Sequence, residues 1–203
     1  PLVDEGKVDN LVPKVTRLRK EISKALGFII PGVRIRDDLN LEASQYQIKI
    51  GQKIVADDIV YADKKLAIAG DSTKLELSGL KVKEPAFGVD AYWIDKELQA
   101  DAEAKGYVIV EPDDVLTTHL SQIINAYASD LLGQEEVQEL LDNLQLSYPN
   151  LVDTVVPKVM ALNQVTAVMK CILEEGVPIS DLRLILESIS SMNVQKMDSD
   201  DVA

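Results

Sequence analysis

The sequence predicts an α+β fold: a small mixed sheet with helical subdomains attached. Three observations carry it. Residues 8–26 place apolar side chains three and four apart, the period of an amphipathic helix. From there to about residue 94 the texture is short segments rich in β-branched residues between turn signals. Beyond Pro112 the helical period returns and persists. A block of strands followed by a run of helices is α+β rather than alternating α/β.

The first helix is read from Val8, Leu11, Val12, Val15, Leu18, Ile22, Ala25 and Leu26. Asn10 is its candidate N-cap. Pro13 is tolerable in a first turn, so the helix is expected to start near Leu11 and to end at Gly27. Strands are predicted at Val33–Arg36, Tyr46–Ile50 and Lys53–Val55, with Gly51-Gln52 as a hairpin turn. Leu66–Ile68 is a further strand, followed by the turn-forming Gly70-Asp71-Ser72 and an exposed loop over 71–83. Tyr92–Ile94 follows, then a short helix capped by Asp95 and closed by Gly106, then Tyr107–Val110. Leu116, Leu120, Ile123, Ile124, Tyr127 and Leu131 make one face of a helix over 113–132, which Gly133 breaks. Val137, Leu140, Leu141 and Leu144 define the next helix. Pro149 and Pro157 bracket a short apolar segment, and Val165, Val168, Met169, Ile172 and Leu173 mark a further helix.

Glu174–Glu187 is the most distinctive segment, a joint between two helices. Gly176 suits the left-handed position that closes a helix, and Pro178 enforces the stop. Ser180 is the candidate N-cap of the helix that follows, with Asp181 in its first turn and Leu182, Ile185, Leu186 and Ile189 on its apolar face. The tail from Asn193 to Ala203 is polar and acidic, expected to be a frayed end or linker.

The 203 residues carry a formal net charge of −13, 46% hydrophobic and 4% aromatic residues. Leu, Ile and Val must therefore fill the core. The acidic balance argues against nucleic acid, whose phosphates need clustered Lys and Arg, and against an anionic lipid surface. The one basic cluster, Lys14, Arg17, Arg19 and Lys20, reads as a solvated helix face, with a basic docking patch as the alternative. A single cysteine, Cys171, excludes an internal disulfide and fits a reducing compartment; it is expected to be buried or half-buried. No apolar run approaches the roughly 18 residues of a membrane helix. The chain opens on Pro1 rather than Met, so a piece of a longer protein is expected.

Catalytic patterns are scarce. His119 is the one histidine, which excludes a two-histidine metal site, and it is expected to make one local hydrogen bond. The pairs Asp37-Asp38, Asp57-Asp58, Asp113-Asp114 and Glu135-Glu136 are sequence neighbours, which do not face one another on a helix or strand. Asp113-Asp114 after Pro112 suits a helix start. There is no phosphate-binding glycine loop, no nucleophile elbow and no calcium loop, so no cofactor or metal is expected. Trp93 with Phe87 and Tyr92 reads as core packing, or else as a partner-binding patch.

Several strings together resemble a known family. Residues 31–41, P-G-V-R-I-R-D-D-L-N-L, with Y-Q-I-K-I at 46–50, resemble its Pro-x-x-x-Ile-Arg-Asp segment and following strand. E-P-A-F-G-V-D-A-Y-W-I at 84–94 resembles its Asp-Pro-Ala-Phe-Gly-Leu-x-Ala-x-Trp-Ile motif. Residues 106–120, 131–137, 148–157 and 177–187 follow in colinear order. The family is the FlhA-type export-gate proteins of flagellar and type III secretion systems, with the flagellar branch favoured.

The resemblance implies a location on the cytoplasmic side of the bacterial inner membrane and no catalysis. It implies a linker and amphipathic helix over 1–34, a first α+β subdomain over 35–107 plus 157–176, an inserted helical subdomain over 108–156, and the start of a third over 177–203. It also implies export chaperones with flagellar cargo, the export ATPase complex and other export-gate membrane proteins as partners, and a homo-oligomeric ring. The family's chaperone-binding dimple carries over onto Leu132, flanked by Ser129 and Asn163, where this chain departs from the family's Phe, Asp and Thr. Leu131 beside Leu132 completes an apolar pair at a helix end. A docking surface needs one of the two off the main stripe and exposed, whereas the residues without the resemblance favour burial of both against Val137 and Leu141. Gly176, Val177 and Pro178 are the expected hinge. The competing reading is a hydrolase or transferase using Asp37, Asp38 or Asp113, which would need carboxylates converging in a cleft with raised pKa values.

Overall fold

A computed structural model describes residues 8–70 and 76–200, with side chains over 11–70 and 76–192. The chain divides into two compact units, Pro1–Leu18 with Val33–Ile124 and Arg19–Gly32 with Asn125–Ala203.

Helix α1, Val8–Leu26, belongs to the first unit as far as Leu18. It is helical already at Val8, so Pro13 lies inside it rather than at its start. Two antiparallel sheets follow. Strands β1, Gln45–Ile50, and β2, Lys53–Ile59, form a hairpin over Gly51-Gln52, with an irregularity at Ile48/Lys49. The two-residue connection dictates antiparallel pairing. The second sheet has the order β4-β5-β3-β6, from β3 (Lys65–Ile68), β4 (Leu80–Lys83), β5 (Asp90–Ile94) and β6 (Val108–Val110). All pairings described in it are antiparallel.

Alternation along β3 and β5 sends side chains to two cores. Leu66, Ala91 and Trp93 join Tyr46, Val60 and Val115 on one face. Ala67, Tyr92 and Ile94 join Leu77, Ala102 and Tyr107 on the other. Ala102 comes from α2, Gln99–Ala104, entered through the 3-10 turn Lys96–Leu98. Val115 comes from α3, Pro112–Ala126. Two expectations fail here. Val33–Arg36 joins no strand; residues 31–40 are all exposed. Within the loop expected over 71–83, residues 80–83 are β4; residues 71–75 lie outside those described.

The second unit is helical: α4 (Ala128–Leu131), α5 (Gln134–Gln145), α6 (Pro149–Val155), α7 (Leu162–Glu174) and α8 (Leu182–Asp200). α4 packs on α7, α5 on α6, α7 and α8, and α6 on α8. The helix expected over 113–132 is interrupted at Tyr127, and Gly133 serves as the N-cap of α5. The tail from Asn193, expected to fray, is helical through Asp200; residues 201–203 lie outside those described. Cys171, expected in the core, is exposed.

Candidate functional site

The residues carried over as a docking site lie on two packed elements of the helical unit. Ser129 and Leu131 sit on α4, Leu132 follows it, and Asn163 is the second residue of α7. Leu132 turns out of the helix with φ −92 and ψ 114. The next residue, Gly133, donates its amide to Glu136 Oε2 at 2.8 Å, which fixes the start of α5. At the start of α7, Ala161 donates in the same way to Gln164 Oε1 at 2.9 Å.

The four residues differ in exposure. Leu132 is 0% exposed, Leu131 and Ser129 are half-buried, and Asn163 is exposed. Leu132 therefore presents no apolar surface; it is part of the core. Leu131, Ser129 and Asn163 are the members of the set that reach solvent. The break at Tyr127 means that the α3 stripe does not extend to Leu131-Leu132, so helical periodicity could not orient them.

The joint between α7 and α8 is tied at both ends. Gly176 has φ 72; its amide donates to Leu173 at 2.9 Å, and that of Val177 to Ile172 at 3.0 Å. This pair closes a helix on a left-handed residue, as the sequence predicted. Gly176, Val177 and Pro178 are exposed, but Ile179 is buried and donates its amide to Leu26 at 2.8 Å. Gly27, at φ +92, lies so close that a Cβ there would sit 2.3 Å from Ser180 Cα. The N-cap of α8 is Asp181, not Ser180: its Oδ1 accepts the Leu184 amide at 3.1 Å. The sequence predicts the cap one residue early, at Ser180, because adjacent Ser and Asp both favour that position.

After α1 the chain folds back along the helix. Ile30 donates to Ser23 Oγ at 2.9 Å, and Arg19 Nε donates to the Ile30 carbonyl at 2.6 Å. Beside this fold-back lies a cleft of about 300 Å³. Phe28, Ile29 and Leu140 supply its apolar lining, Lys24 stands on its α1 side, and Glu136, Glu139 and Asn143 on its α5 side. Sequence reasoning missed it, because its walls come from segments more than a hundred residues apart.

In the sheet unit the buried polar side chains are hydrogen-bonded. Tyr46 Oη and His119 Nδ1 lie 2.6 Å apart, both side chains buried. The bond expected to be local thus spans 73 residues. Burial lowers the His119 pKa, against the weaker upward pull of Asp58 and Glu84, and burial raises that of Tyr46. Glu84, itself buried, accepts the amides of Ala86 at 3.0 Å and Phe87 at 2.8 Å. That turn points Phe87 outwards at 71% exposure, whereas Trp93 is buried, so the aromatic cluster of the sequence is divided. Lys14 pairs with Asp113 at 2.7 Å and with Asp114, so this basic residue is not simply solvated. Burial pulls the Lys14 pKa down, but the hydrogen bonds of the two carboxylates outweigh it and leave the value raised. Asp38 departs from what the enzyme reading requires: hydrogen bonds from the Asn40 amide and side chain hold its carboxyl below the ordinary value. Among the described residues no group of three His, Cys, Asp or Glu could hold a metal ion, and no helix is long and apolar enough to cross a membrane.

Comparison with known proteins gives a coherent answer. The flagellar biosynthesis protein FlhA of Helicobacter pylori is 35% identical over 191 residues, 94% of this chain and 26% of that protein. FlhA of Buchnera aphidicola is 34% identical over 202 residues, 100% of this chain and 29% of that protein. The chain thus spans under a third of these relatives. Among solved structures, Chlamydia pneumoniae CdsV, in its complex with CdsO, superposes with a TM-score of 0.74 at 26% identity, over 91% of this chain and 56% of that one. Nonameric EPEC SctV-C shares the fold, with a TM-score of 0.66 at 20% identity over 92% of this chain and 56% of that one. The FHIPEP family matches residues 1–203, and the chain belongs to that family.

Proposed function

We propose that this chain is part of a docking platform on the cytoplasmic face of a flagellar type III protein export gate. It receives export chaperones with their cargo and components of the export ATPase complex, without catalysis, and works within a homo-oligomeric ring beside other export-gate membrane proteins. The observation that carries this reading is the family match along the whole chain. The CdsV–CdsO complex and the nonameric SctV-C support the capture of a second protein and ring assembly respectively. The four-part division given by the resemblance remains part of this proposal.

The docking surface we assign is Leu131, Ser129 and Asn163 around the α4–α7 seam, with buried Leu132 as its floor. The joint at Gly176, Val177 and Pro178 supplies what bending there is. The test is capture of a flagellar chaperone–cargo complex by the immobilised chain. Asn163→Arg and Leu131→Asp change solvent-reaching positions and should each weaken capture by about tenfold, the scale of a lost interface contact. Leu132→Asp would bury a charge and is not a clean probe. Failure of the unmodified chain to capture any such complex sinks the function; capture indifferent to both variants sinks the site.

A further inference from the structure

The cleft beside the end of α1 and the exposed run at residues 31–40 have complementary patterns. The cleft offers an apolar lining between two rims of opposite charge: Glu139 and Glu136 on α5, the latter also accepting the Gly133 amide, and Lys24 on α1. Glu136 and Glu139 are three apart and share one helix face. The exposed run carries Arg34-Ile35-Arg36 followed by Asp37. Ile35 is 46% exposed with an arginine on either side. Among the described residues no hydrogen bond or ion pair engages Arg34, Arg36 or Asp37. The neighbouring Asp38 is already committed to Asn40.

We infer that the cleft takes Ile35 of a second copy of this chain, with Arg34 and Arg36 against Glu136 and Glu139, and Asp37 against Lys24. An aliphatic side chain suits the apolar lining, and the charge order suits one direction of approach. A neutral or acidic peptide would leave the α5 rim unmatched, and a uniformly basic one would oppose Lys24. One copy gives the run and the other gives the cleft, so the contact is head-to-tail. Such a contact propagates, closing into a ring when its rotation allows. The inference names a self-contact for the assembly proposed above and rests on that part of the reading.

The experiment uses the chain with Cys171→Ser, in two single-cysteine versions, Ile35→Cys and Asn143→Cys, mixed and oxidised. Asn143 lines the cleft. The mixed disulfide should form about tenfold faster than with Gln52→Cys replacing Ile35→Cys, since docking raises the local concentration of the pair. Arg36→Glu in the donor should slow it several-fold, and Glu139→Arg in the acceptor should restore the rate, as expected for directly coupled charges. A rate equal to that of the Gln52→Cys control, or one indifferent to the charge swap, overturns the assignment. Sedimentation velocity separates the two levels: self-association without the cross-link removes the cleft and leaves the assembly standing, whereas no self-association removes both. Chaperone capture is measured independently of either.

Discussion

The amide of Ile179 donates to the carbonyl of Leu26 at 2.8 Å, joining the end of α1 to the residue two before the α8 cap. The adjacent Gly27 packs its backbone against Ser180. Gly27 and Gly176 both have positive φ, but a Cβ on Gly176 would meet nothing within 4 Å. Ala at Gly176 should therefore cost about 1 kcal/mol, the strain of the left-handed region alone. Ala at Gly27 adds a clash with backbone and should cost about 3 kcal/mol. Urea denaturation of the two variants checks this, and equal costs would show that the close approach has no energetic weight.

His119 sets a pH dependence. Burial holds its folded pKa below the ordinary 6.5. Between those values the unfolded chain binds more protons, so stability rises with pH there. The contribution is complete above about pH 6.5 and is lost as pH falls through the folded value. His119→Gln should flatten the urea midpoint between pH 7.5 and 5.5, and a slope unchanged by that substitution would assign the effect elsewhere. Tyr46→Phe removes the hydrogen bond to the ring and should cost about 1–2 kcal/mol at pH 7.5.

Glu84 and Phe87 separate the turn from its tip. Two amides depend on the Glu84 carboxylate, so Glu84→Ala should cost about 2–3 kcal/mol and speed hydrogen exchange at the Ala86 and Phe87 amides. Phe87→Ala removes a mostly exposed ring and should stay within about 0.5 kcal/mol. A large cost for Phe87→Ala would mean that the ring has a packing partner.

Lys14 faces Asp113 and Asp114 with 38% of its side chain exposed. Solvent screening limits such a pair, so Lys14→Met should cost no more than about 1 kcal/mol, with the difference shrinking in 1 M salt. Denaturation at low and high salt reads it directly.

What the sequence made legible follows from what each signal measures. Periodicity found the helices because burial of one face imposes it; β3 and β5, buried on both faces, showed as short apolar runs bounded by turn signals. It missed β4, an edge strand where Leu80 is itself exposed and half-buried Val82 stands between exposed Lys81 and Lys83. It misread Val33–Arg36 because β-branched residues suit a strand, while a strand also needs a neighbour, which nothing local specifies. The docking set was reached through the resemblance alone, and Leu132 shows why: a break one residue long at Tyr127 ends the α3 stripe before it, so the helical period does not reach it. Tyr46–His119, Leu26–Ile179 and the cleft join positions far apart in the chain, so no local window contains them.

Trp93 is the sole tryptophan, 2% exposed, with its ring edge-on to Tyr61 at 5.6 Å in the sheet unit. Excitation at the red edge of the protein band therefore interrogates that unit alone, while far-ultraviolet dichroism is weighted towards the helices of the other. The chain thus carries a native optical label on one of its halves, and overlaying the two melting curves tells whether the halves come apart together or in turn.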